Sequence, residues 1–181
     1  AGYCRDPGEV ILHMEVAQLI RSARSSRVSR WLLNSVLGWM IPFNRPHGFK
    51  VVPLRSGGIR VDIPYWRINR NHIKGIHACA LATAAEYCSG LALLEHLDAK
   101  KYRLIMKSLQ MEYHYQAKAD ARAVFAPGIS EVTSQVIDPL RSGEAVLYTA
   151  VVELHDVKEN HLATGKITWQ VKEWGSVKTR V

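Results

Sequence analysis

Acids are scarce in this chain, and so are several of the motifs that would narrow its chemistry quickly. Its 181 residues hold 24 Lys and Arg against 16 Asp and Glu, a formal net charge of +8. There is no glycine-rich phosphate loop and no dinucleotide fingerprint. Ser56-Gly57-Gly58 stands between two apolar segments and reads as a hairpin turn. There are only three cysteines, and none has metal-ligand spacing. Cys79 and Cys88 fall on one predicted helix, about 13 Å apart along its axis, too far for a disulfide. Reduced thiols, no metal and a cytoplasmic location are the expectations. No apolar run reaches the roughly 18 residues needed to span a bilayer. Residues 31–43 come nearest, interrupted by Asn34, Gly38 and Pro42. No secretory signal pattern is visible. Hydrophobic residues at 48% argue against global disorder.

The positive excess is spread: residues 1–47 contribute +3 and residues 48–181 contribute +5. Such a surface suits anionic partners, whether nucleic acid, acidic lipid or a phosphate-bearing ligand, and equally a plain solvated surface.

Residues 10–41 read as helix in two pieces, with Arg21, Arg24, Arg27 and Arg30 spaced by three. Steps of three drift about 60° each, so these cations fan over half the helix surface. A basic amphipathic helix for a membrane or acidic partner is one reading, and a helix packed on the domain with a solvated basic face is the other. A turn at Asn44 to Gly48 follows, and then the period changes to two. Ile59, Val61, Ile63 and Tyr65 alternate with polar residues, forming a hairpin with residues 48–55. A long helix is expected from about His77 to Leu97. After it come strands around Leu109–Tyr115, one or two over residues 119–137 broken near Pro127-Gly128, and further strands over 144–155 and 162–174. The resulting expectation is an α+β fold: a 1–47 helical extension, then a 48–181 domain in which one antiparallel sheet curves around a long helix.

That helix carries the most informative residue. Between Ala78 and Leu94 the only residue that ordinarily bears charge is Glu86, set among Ala, Leu, Cys, Ser, Thr and Gly. A carboxylate among apolar neighbours should have a raised pKa and act as a stronger base when ionised. Cys79, Thr83, Glu86 and Gly90 share one face of the helix, which suggests a cavity. His72 reads as a loop residue, and Tyr113 and Tyr115 as core or interface groups.

Asn71, Gly75, His77-Ala78-Cys79 and Glu86, in that spacing, resemble the motif of the hotdog-fold thioesterases. The phenylacetate-type acyl-CoA thioesterases and the DUF4442 group are the most similar branches. Met111-Glu112-Tyr113 and Ala117-Lys118-Ala119-Asp120 continue the resemblance, which covers roughly residues 48–172. It implies a hotdog fold and hydrolysis of acyl-CoA or acyl-carrier-protein thioesters, with no cofactor beyond the coenzyme A of the substrate. Glu86 would be nucleophile or general base. Asn71 would position the carboxylate, water or thioester. The Ala78 N–H would polarise the carbonyl, and His77 would shape the turn presenting it. Gly75, Cys79, Thr83 and Met106 would border the substrate. Two departures from the family pattern stand out: Ala78-Cys79 replaces the usual Gly-Gly, and Met106 stands where a polar residue often faces the acid.

Ala78 and Glu86 lie eight residues apart, about 12 Å along a helix, whereas reacting atoms must approach within about 3–3.5 Å. One chain therefore cannot bring both to one thioester, and a two-fold homodimer, or a dimer of dimers, supplies the geometry. Nucleic acid is not expected as a partner, while the basic helix leaves a membrane surface open. The alternative to an enzyme is a non-catalytic hotdog dimer that binds an acyl ligand, its basic N-terminal helix contacting membrane or nucleic acid.

Overall fold

The structure, a computed structural model, describes residues 16–176. A helical segment at residues 16–23 leads through a break into α1 (Arg27–Met40) and a 3-10 turn at Pro42–His47. The hairpin β1 (Lys50–Pro53) and β2 (Ile59–Ile63) comes next, then α2 (Ala78–Leu94). The remaining strands are β3 (Tyr102–Tyr113), β4 (Ala121–Phe125), β5 (Val146–Asp156) and β6 (His161–Glu173). All six form one antiparallel sheet in the order β1-β2-β4-β5-β6-β3. The sheet embraces α2, as the sequence pattern predicts.

Small residues allow α2 to lie close to the sheet. It buries residues on nearly every side, including Ala80, Ala84, Ala85, Cys88, Gly90 and Ala92, so its burial cannot be confined to one stripe. A Cβ at Gly90 would stand 2.9 Å from the Trp169 ring of β6, and one at Gly165 would stand 3.2 Å from the Ala85 Cβ. Helix and strand thus meet where neither can grow. The Cys88 thiol faces β2 and β4 instead, 3.1 Å from the Ile59 carbonyl oxygen, and burial pushes its pKa up. Such a thiol is inert.

The two sheet edges are treated differently. At β1, the Asn34 side chain of α1 accepts from the Val51 N–H (2.7 Å) and donates to the Val51 carbonyl (2.9 Å). It acts as a short surrogate strand. Leu33 and Leu37 of α1 and Val16 and Ile20 before it join the same apolar core as the strands. At the opposite edge, β3 runs for 12 residues with no strand beyond it among the described residues, and its residues 105–110 are all exposed.

Some expectations need correction. The segment after Pro127-Gly128 is not a strand. Residues 129–140 form short helical pieces with a π-type turn at Thr133–Ile137. Val132, Val136 and Leu140 recur every four residues and are buried, a helical period that their branched side chains disguised. Strand β3 begins at Tyr102, before the predicted Leu109. The expected fan of solvated Arg is also interrupted. Ser26 caps α1 by accepting from the Ser29 N–H (3.1 Å), and Arg24 turns inward onto the buried Glu95 carboxylate at 2.8 Å. The predicted helix over residues 10–15 and Cys4 lie outside the described residues.

Candidate active site

The polar turn ahead of α2 is built by Asn71. Its side-chain oxygen accepts from the N–H groups of Ile73 (3.1 Å) and Gly75 (2.9 Å), while its own N–H donates to the Gly75 carbonyl (2.8 Å). Lys74 takes up the left-handed conformation this closure needs, at φ 61°. Gly75 is buried against Gln116, where a Cβ would come within 2.9 Å of the side chain. Asn71 thus holds the loop from within, and the loop sets the direction from which α2 begins.

His77 is the N-cap of α2. It is extended at φ −64° and ψ 138°, and its ring Nδ1 accepts from the Cys79 N–H at 3.1 Å. Helix starts leave N–H groups without intrahelical partners, and His77 satisfies one of them. Among the described residues the Ala78 N–H has no acceptor, and Ala78 is exposed. The Tyr113 hydroxyl of β3 donates to the Ala78 carbonyl at 3.1 Å. Sequence reasoning placed Tyr113 in the core or an interface; it is 48% exposed, and its place beside Ala78 is set by the register of β3, which pairs it with Ala163. A cleft of about 300 Å³ opens here, lined by Asn71, Ala78, Leu81, Tyr113 and Gln116.

Glu86 lies on another cleft, of about 280 Å³, among Ile41, Gly90, Leu94, Leu104 and Trp169. It is half-buried, and desolvation by these neighbours raises its carboxyl pKa. Ser89, one turn on, bonds the Glu86 carbonyl (3.1 Å) and accepts from the Trp169 ring nitrogen (3.0 Å). This fixes the indole that floors the cleft. The two clefts share no lining residue. Within one chain the structure therefore keeps Glu86 apart from Asn71, His77 and Ala78.

The other candidates divide similarly. Cys79 is a free, exposed thiol beside the helix start, and Thr83 is half-buried one turn before Glu86. Met106 is exposed on β3 opposite Trp169, and the β3 residues against the Glu86 cleft are Tyr102, Arg103, Leu104 and Ile105. A larger cleft, about 450 Å³, lies around Trp66, Lys50 and Arg122. Arg60 and Arg122 there are paired with Asp62 and Glu159. Among the described residues, no group of three or more His, Cys, Asp or Glu is placed to hold a metal ion.

Comparison with known proteins bears on the family and the fold. The family described as a domain of unknown function, DUF4442, matches residues 29–171. A Pseudomonas aeruginosa protein of unknown function, described as a probable thioesterase, superposes with a TM-score of 0.69 at 23% identity, covering 76% of this chain and 91% of that one. A second P. aeruginosa structure, a substituted form of a thioesterase, gives 0.63 at 11% identity over 83% and 99% of the two chains. A Chlorobaculum tepidum protein of unknown function gives 0.67 at 12% over 83% and 98%. No curated protein matches. At these identities the likeness establishes the fold, which is the hotdog fold.

Proposed function

The chain belongs to the DUF4442 family, and from that premise we propose that it hydrolyses acyl thioesters at a site two copies build together. The observation that carries this reading is Glu86, a single half-buried carboxylate with a raised pKa on an otherwise apolar helix. A group of that kind at the wall of an apolar cleft is a functional-site signal. The structural neighbours described as thioesterases support the reaction class.

Glu86 supplies one half of the chemistry. Its carboxylate takes a proton from water as that water attacks the thioester carbonyl, or attacks the carbonyl itself to form an anhydride that water then opens. The other half is the Ala78 N–H at the helix start, where the helix dipole adds partial positive charge. It receives the developing oxyanion, while His77 keeps the adjacent Cys79 N–H occupied and the turn fixed. In the general-base route the carboxylic acid returns its proton to the departing thiolate; in the anhydride route the thiolate leaves as the anhydride forms and takes its proton from solvent, and water opening the anhydride releases the acyl acid and restores the Glu86 carboxylate. The apolar wall of Ile41, Leu94, Leu104 and Trp169 receives the acyl group, and the basic surface suits the phosphates of coenzyme A or the acidic surface of a carrier protein.

The partner chain is required by distance. The exposed β3 edge, with Met106 and Leu109 uncovered, is a long apolar edge of the kind that soluble proteins cover. Pairing through it brings the second copy alongside α2, so that each site takes Glu86 from one chain and the Ala78 turn from the other. The test is a panel of acyl-CoA thioesters, aromatic and aliphatic, assayed by release of free thiol, with Glu86→Ala as control. The reading predicts turnover of at least one member and its loss in the variant. Binding of acyl-CoA without turnover in either form would instead make this an acyl-ligand-binding protein.

A further inference from the structure

Cations stand beside an exposed apolar face near the start of the described chain. Residues 16–61 contain eight Lys and Arg and no Asp or Glu, while the remaining chain carries sixteen of each. Of these eight cations, Arg24 is paired with Glu95 and Arg60 with Asp62, while Arg27 and Arg30 lie on α1 and Arg45 in the turn that follows it. On α1, Leu33 and Leu37 point into the core. The other side is largely apolar: Val28 is 75%, Trp31 69% and Trp39 74% exposed, with Leu32 also exposed and only Ser35, its hydroxyl bonded back to the Trp31 carbonyl, polar among them, and Phe43 is 67% exposed in the turn that follows. At about 100° per residue, Trp31, Val28, Trp39 and Leu32 fall within an arc of about 100°. Arg27 borders that arc and Arg45 follows Phe43; both are exposed and neither forms an ion pair among the described residues.

We infer that this face of α1 and the Phe43 turn seat the protein on an anionic lipid bilayer. A helix lying in the interface combines a cationic rim with Trp and aliphatic side chains on its buried side, and Trp favours the headgroup level. The cations complement the negative surface potential of acidic lipids. A nucleic acid backbone would meet the cations but leave two indoles and a phenyl ring in water. No helix among the described residues is long and apolar enough to cross a membrane, so the contact lies on the bilayer rather than through it. The helix ends at Ile41, itself a wall of the Glu86 cleft, which makes the docked face and that cleft contiguous. The inference stands apart from the hydrolase reading, because it concerns residues outside the site.

The full chain is sedimented with phosphatidylcholine vesicles and with vesicles in which about one third of the lipid is phosphatidylserine. The inference predicts binding to the second only, weakening as salt rises, with a blue shift of Trp emission. Trp31→Ala with Trp39→Ala should lower partitioning by roughly a hundredfold. The melting temperature and any thiol-release rate on a soluble acyl-CoA should stay unchanged. Arg27→Glu should weaken binding as well. Failure to bind acidic vesicles, equal binding by the double Trp variant, or salt-sensitive binding to DNA alone would overturn it. So would a change of oligomeric state in the Trp variant, since that face would then be covered by a second copy.

Discussion

Glu86 pays for its position in stability. Desolvation raises its pKa in the folded chain, so the folded state favours the protonated form more than the unfolded chain does. Its favourable contribution is complete below the unfolded pKa, near 4.5, and is lost as pH rises through the folded pKa. Glu86→Gln should therefore raise the melting temperature at neutral pH, with the gap closing in acid. The same substitution should lower kcat by about 10²–10⁴, and the acid limb of the wild-type kcat/KM profile should lie above the ordinary Glu range. A profile flat down to pH 4.5, the ordinary value, would remove Glu86 as the base. This residue was legible in the sequence because it is the sole charge on a helix with no other reason to hold one. Tyr113 was not, because its link to Ala78 depends on the register of β3 against β6.

The helix–sheet contact and the N-terminal segment are each held at identifiable points. Gly90→Ala would drive a Cβ into the Trp169 ring, whose own hydrogen bond to Ser89 resists movement. A cost of about 1–3 kcal/mol in denaturant unfolding is expected. Arg24→Ala would leave the Glu95 carboxylate, 4% exposed, without its partner. Unfolding should lose about 3 kcal/mol, and adding Glu95→Gln should restore much of it; a loss below about 0.5 kcal/mol would mean the pair behaves as a surface bridge. Periodicity made the long helix and most strands readable. It failed at residues 129–140, where β-branched Val132 and Val136 looked like strand while their spacing of four was helical. It also missed Arg24, since a regular row of four Arg looks the same in sequence whether or not the helix breaks between them.

For the molecule as a whole, the decisive feature is the unpaired β3 edge. Leu109 reads from sequence as the start of an ordinary strand, and nothing in the alternation reveals that the single chain leaves it and Met106 in solvent. If two copies pair there, Leu109→Lys should convert a dimer into monomers by light scattering and abolish thiol release together, leaving the monomer folded by circular dichroism. Retained activity in a monomer would refute the shared site.

The most direct measurement mixes two inactive chains. Ala78→Pro deletes only the proposed oxyanion donor. Proline is favoured at the first position of a helix, and His77 already has the extended conformation that a following proline requires. Dimers of Glu86→Ala alone and of Ala78→Pro alone should both be nearly inactive. A mixed dimer carries one intact site, with Glu86 from one chain and the Ala78 N–H from the other, and should recover about half of the wild-type rate per dimer. No recovery in verified mixed dimers would contradict the account.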